Sequence, residues 1–178
     1  MKRLSKTLVL VGMMGAGKTS VGRRLAGALG VQFRDADHEI EAAAGCTVSD
    51  IFELFGEEAF RDGERKVLSR LLEEAPHVLA TGGGAFMDPD TRTRIKEHAV
   101  SVWLKADIEL LVSRVSRKDT RPLLRNTDPR AKIEALLKIR EPVYAEADVI
   151  VISDDGPQDI VVKRIIAAVE PFMNGEPT

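Results

Sequence analysis

The chain has 178 residues, 44% of them hydrophobic, enough for one domain with a substantial core and too few for two ordinary ones. Lys and Arg total 26 against 28 Asp and Glu, so no global positive field is available to draw nucleic acid, and any anion site must be built locally. The lone Cys46 cannot form an intrachain disulfide, and His38, His77 and His98 share no helix-face spacing, which argues against a disulfide scaffold and a histidine metal site.

Taken in chain order, apolar runs of four to six residues alternate with longer polar-studded segments, the pattern of buried parallel strands alternating with covering helices. The first predicted strand, Thr7–Val11, runs directly into Gly12-Met13-Met14-Gly15-Ala16-Gly17-Lys18-Thr19 and a helix signal opening near Lys18. This is G-x-x-x-x-G-K-[ST] in the strand–loop–helix context that the pattern requires. Glycines let successive N–H groups turn inward around a phosphate, and the helix adds the positive end of its dipole. Lys18 is placed to reach the β- and γ-phosphates and the Thr19 hydroxyl to ligate Mg²⁺, with Ser20 completing the nucleotide-binding stretch. Lys2, Arg3 and Lys6 ahead of the apolar run imitate a secretory leader, but cleavage would cut this loop, and the run is too short and too broken by glycine to span a bilayer. The expectation is a cytoplasmic protein with no nucleic-acid or membrane partner.

Gly30 reads as a helix stop, and a short second strand ends at Phe33-Arg34-Asp35. In Asp35-Ala36-Asp37, extended alternation would aim both carboxylates the same way, one for Mg²⁺ through water and the other for a substrate hydroxyl; either also reads as a cap of the next helix. Gly56 reads as a second helix stop. Arg61 and Glu64, three apart, share a helix face and can pair. The third strand, His77–Thr81, is followed by Gly82-Gly83-Gly84, which forfeit packing for a close approach by a ligand or another backbone. Asp88-Pro89, Asp107 and Asp128-Pro129 mark helix starts around a fourth strand, Val100–Leu104. Between the last two lies a basic stretch, 116–127, long for a connection in so small a domain and suited to a mobile lid that closes arginine over phosphates. Arg140 precedes Pro142 and Tyr144, the fifth strand is Val149–Ser153, and the end after Pro171 is expected to fray.

The phosphate loop, Asp35-Ala36-Asp37, Phe60-Arg61-x-x-Glu64, Gly82-Gly83-Gly84, Arg121-Pro122-Leu123-Leu124 and Arg140-x-Pro142-x-Tyr144, in this order and spacing, resemble the shikimate kinase family over essentially the whole chain. The resemblance implies an α/β P-loop NTPase fold of nucleoside-monophosphate-kinase type. Its five-stranded parallel sheet, ordered 2-3-1-4-5, is flanked by helices and carries a mobile lid. It implies one kinase domain over 1–178, with the lid at about 116–127 and the shikimate-binding segment at about 35–64. The implied activity is ATP-dependent phosphorylation of the shikimate 3-hydroxyl in the chorismate pathway, by a monomer.

Residue by residue, the resemblance gives Asp37 the shikimate hydroxyls, Arg61 and Arg140 the carboxylate, and the Gly82, Gly83 and Gly84 backbone the ring. Glu64 matches the glutamate that orients the substrate arginine, Arg121 the lid arginine on the transferred phosphate, Arg114 an arginine against adenine, and Pro157 the adenine-side loop. Lys18, Mg²⁺ and Arg121 would stabilise the charge of a loose transition state, while Asp37 orients the attacking hydroxyl or takes its proton late. The third strand lacks the aspartate of an ordinary Walker B segment, so the Mg²⁺-side carboxylate is assigned to Asp35 beside Thr19. A gluconate-type kinase shares this logic without needing two arginines for a cyclic carboxylate or a triple-glycine wall. A non-catalytic nucleotide-binding regulator would be expected to lack Lys18, Asp37 or the lid arginine.

Overall fold

The computed structural model describes residues 4–117 and 128–173. Five strands form one parallel sheet: β1 (Thr7–Val11), β2 (Phe33–Asp35), β3 (Val78–Ala80), β4 (Ala99–Lys105) and β5 (Val149–Ile152), in the order β2-β3-β1-β4-β5. All of β1 is buried, as expected for the middle of a sheet covered on both faces. The edge strand β5 departs from the continuous burial that its apolar run suggests. Val149 and Val151 point into the core, whereas Ile150 and Ile152 remain about half exposed.

The helices among the described residues are α1 (Lys18–Leu29), α2 (Ala36–Ala44), α3 (Val48–Leu72), α4 (Pro89–His98), α5 (Ile108–Ser116), α6 (Pro129–Tyr144) and α7 (Gln158–Met173), with a 3-10 turn at Ala85–Met87. The aspartates read as helix starts are all N-caps: Asp88 accepts from the Thr91 N–H, Asp107 from that of Leu110 and Asp128 from that of Arg130. Gly30 stops α1 in the left-handed conformation (φ 65°). Gly56 ends a helical run, as expected of it. At φ 86°, ψ 172° it is non-helical, so α3 consists of two helical stretches that meet at a kink there, the second starting at once. The helix resumes because the following turns carry their own buried stripe, Phe60, Glu64, Val67, Leu68, Leu71 and Leu72. Pro171 lies inside α7, which continues to Met173. Arg121 and the expected lid from residue 118 through 127 lie outside the described residues.

Because every strand is parallel, all five C-terminal ends open on the same edge of the sheet, where α/β folds bind their ligands. β1 delivers the phosphate loop there, β2 delivers Asp35 and β3 the three glycines. Among the described residues, no helix is long and apolar enough to cross a membrane.

Candidate active site

Gly12, Gly15 and Gly17 adopt φ of 145°, 84° and 94°, backbone that side-chain-bearing residues rarely enter. At Gly12 even the space is missing, since a Cβ would lie 2.8 Å from the Leu104 carbonyl oxygen. Gly17 caps α1 with no side-chain hydrogen bond, and no acidic residue occupies the first turn, so the positive helix end is left open to an anion. Lys18 Nζ folds back along the loop and donates to the carbonyls of Gly12 (2.6 Å) and Met13 (2.8 Å). Behind the loop, Ser153 Oγ donates to the Ala16 carbonyl, and Arg114 bridges the Gly15 and Asp154 carbonyls at 3.0 and 3.1 Å.

Next to the loop, the Thr19 hydroxyl donates to Asp35 Oδ2 at 2.9 Å. Asp35 Oδ1 meanwhile accepts from the N–H groups of Asp37 and His38, so Asp35, not Asp37, is the cap of α2. The extended alternation expected for Asp35 and Asp37 fails for this reason: the chain has already turned helical at Ala36. Both carboxylates nevertheless line the same cleft. A brace behind them sets the angle of α2, with Arg34 paired to Glu39 and Glu74, and Arg70 to the same two glutamates.

Across the cleft, Arg61 Nη1 donates to Glu64 Oε1 at 2.9 Å, the i,i+3 pairing expected of them. Glu64 is buried, and its Oε2 has no hydrogen-bond partner among the described residues. Burial pushes the Glu64 carboxyl above its ordinary range, against the opposing pull of Arg61. Arg140, also buried, reaches across from α6 to within 3.8 Å of Met13 Sδ.

The glycine run is a wall that leaves room for these groups. A Cβ at Gly83 would lie 2.7 Å from Arg140 Nη1, one at Gly84 would strike the Arg61 guanidinium with its Cζ at 2.7 Å, and one at Gly82 would sit 3.4 Å from Asp37 Oδ1. The close approach expected of the glycines is thus made by charged side chains.

Together these groups line a cleft of about 410 Å³. Met14, Gly15, Gly17, Lys18, Thr19, Ser20, Asp35, Asp37, Arg61, Gly82, Gly83, Gly84, Arg114 and Arg140 all face it. Gly12, Met13 and Ala16 are buried within the loop and do not line the cleft, and exposed Pro157 stands aside while its neighbour Gln158 lines it. Sequence reasoning missed the apolar floor formed by Val48, Phe52 and Phe60. The first two, four apart on α3, carry a helical-face signal that identifies them only once their partner is known.

The profile of a family described as Shikimate kinase matches residues 14–170. The chain belongs to the shikimate kinase family. It is 61% identical over 164 residues to a shikimate kinase of Caulobacter vibrioides, an alignment covering 92% of this chain and 82% of the relative. A shikimate kinase from Acinetobacter baumannii, solved in complex with shikimate, superposes with a TM-score of 0.89 at 40% identity, covering 97% of this chain and 96% of that one. A gluconokinase from Sinorhizobium meliloti, at 19% identity and a TM-score of 0.65 over 97% of this chain and 95% of its own, has the fold in common. The order 2-3-1-4-5 implied by the family is the order observed.

Proposed function

We propose that this protein transfers the terminal phosphoryl group of ATP to the 3-hydroxyl of shikimate, giving shikimate 3-phosphate and ADP. The observation that carries the reading is that one cleft holds both a phosphate loop and two guanidinium groups against a glycine wall. A guanidinium donates two parallel hydrogen bonds to a carboxylate, and a carboxylate such as Asp37 accepts from ring hydroxyls, so this acceptor side matches a small polyhydroxylated carboxylate.

The loop N–H groups and the open end of α1 bind the ATP phosphates, and Lys18 exchanges its loop carbonyls for phosphate oxygens. Arg114, between the phosphate loop and the segment after β5, stands on the adenine side with Pro157 nearby in sequence. Asp37 orients the attacking hydroxyl and receives its proton late, Arg61 and Arg140 hold the carboxylate, and Glu64 fixes the angle of Arg61. Arg121, which lies outside the described residues, supplies further positive charge to the transferring group from the 116–127 lid. The adjoining oxygens of Thr19 and Asp35 are hard donors of the kind Mg²⁺ takes, and they would hold it, Asp35 through water. When bound, the ion neutralises charge on the phosphate oxygens. The same reading makes 1–178 one kinase domain, with 35–64 as its acceptor segment, acting as a cytoplasmic monomer.

A coupled assay of ADP release with ATP and Mg²⁺, run with shikimate, with gluconate and without acceptor, tests the reading. Shikimate alone should give rapid turnover. A higher kcat/KM for gluconate would replace this function with that of a sugar-acid kinase, and nucleotide binding with no turnover on either acceptor would point to a regulator.

A further inference from the structure

Tyr144 closes the Arg140-to-Tyr144 stretch, and the reaction outlined above gives it no task. Its side chain is fully buried, with its ring 5.6 Å from that of Trp103. Its hydroxyl donates to the carbonyl oxygen of Gly83 at 2.5 Å. The carbonyl it holds belongs to the segment that separates the two halves of the cleft. A Cβ at Gly83 would lie 2.7 Å from Arg140 Nη1 on one side and 3.6 Å from both the Gly12 carbonyl oxygen and the Met14 nitrogen on the other. The described chain contains no cis peptide, and in a trans peptide the N–H points opposite to the C=O. Holding the Gly83 carbonyl therefore also aims the Gly84 N–H.

We propose that Tyr144 is a positioning residue whose hydroxyl fixes the Gly83–Gly84 peptide and, through it, the glycine wall and Arg140 against the acceptor. The inference rests on the reading that the acceptor is shikimate. Burial pushes the Tyr144 hydroxyl up to about 12, so it remains a donor throughout the range in which the enzyme would be assayed. Glycine has no side chain with which to lock its own backbone, and a Cβ at Gly83 or Gly84 would push on the arginine ends beside it. The backbone restrains this peptide through the turn that the Ala85 N–H closes on the Gly82 carbonyl at 3.3 Å, and the Tyr144 hydroxyl adds a restraint from the same helix as Arg140. The phosphate loop is restrained by separate bonds from Lys18, Arg114 and Ser153, none of which involves Tyr144.

The test is Tyr144→Phe, which removes one oxygen and keeps the ring, measured beside Arg140→Lys and a packing control, Trp103→Phe. All are assayed below their melting temperatures. Tyr144→Phe should raise the KM for shikimate on the order of tenfold, the effect of losing one buried hydrogen bond and leaving its acceptor unpaired. The KM for ATP should stay within about twofold, because the loop keeps its own restraints. If Arg140→Lys raises the KM for shikimate but Tyr144→Phe does not, the positioning role is wrong and the site stands. An equal rise in both KM values, or the same selective rise in Trp103→Phe, would assign the effect to general loosening or ring packing and overturn the proposal. An unchanged shikimate KM in Arg140→Lys would remove the acceptor reading, and this proposal with it.

Discussion

On the proposed phosphate side of the cleft stand eight consecutive residues, Gly12 to Thr19, and most of what they offer is backbone. On the proposed acceptor side, Asp37, Arg61 and Arg140 come from α2, α3 and α6 and offer side chains, with a buried glutamate, a glycine wall and a tyrosine around them. The first arrangement depends on local dihedral angles, so it survives modest shifts of the surrounding helices. The second depends on how three helices pack, so a disturbance far from the cleft reaches it through their angles. The two halves should therefore fail separately.

The largest effect is expected from Lys18→Met, which keeps an apolar stem but removes the charge. A folded protein with kcat reduced about 10³-fold should result, because the lost interaction acts chiefly on the transferring phosphoryl group. Shikimate affinity, followed by calorimetry, should stay near that of the parent. A comparable loss of shikimate binding would show that the halves are not separable.

Asp37→Asn should come next, with kcat/KM for shikimate falling about 10²-fold as an ionised acceptor becomes a partial donor. Its nucleotide affinity should not change. Retained turnover would demote Asp37 to a member of the first turn of α2. Below that stand Arg61→Lys and Arg140→Lys, each expected to raise the KM for shikimate on the order of tenfold through loss of the planar two-donor fork. Matching rises in the KM for ATP would erase the distinction between the two sides.

The smallest effect concerns stability. Burial raises the Glu64 carboxyl in the folded protein, so the native state holds that proton more tightly than the unfolded chain. Stability from this group is then greatest at low pH and declines as pH rises from about 4.5 towards the raised value. Glu64→Gln removes this titration. The melting temperature of the variant, compared with the parent across pH 4 to 7, should therefore improve in relative terms as pH rises. A difference that is flat or runs the other way would show that the pairing with Arg61, not burial, governs Glu64.

What the sequence reveals follows the same division. The phosphate loop, the strand cores and the aspartate caps are local, and each was readable from residues within a few positions of one another. Gly56 is local in the same sense and ends a helical run, but the glycine alone does not tell that a second run, carrying the buried stripe from Phe60 to Leu72, starts directly behind it. Asp37 was placed in the right cleft for the wrong reason, since the cap made by Asp35 turns the chain before alternation can apply. From residue patterns alone, nothing joins Arg34 to Glu74, Arg140 to Met13 or Tyr144 to Gly83. These partners are separated by 40, 127 and 61 positions, and only the packed fold brings them together. The family resemblance supplied roles for Arg61 and Arg140, and the structure adds the steric reason for the glycines beside them.

That wall also bears on how inhibitors of this protein could be evaded. Resistance commonly arises by exchanging a side chain that a drug grips, but Gly82, Gly83 and Gly84 have none to exchange. The smallest replacement at Gly83 or Gly84 puts a methyl carbon against the guanidinium of Arg140 or Arg61. A substitution that displaced a compound drawing its hydrogen bonds from this stretch of backbone would thus also shift the guanidinium of Arg140 or Arg61, the groups proposed to hold the acceptor.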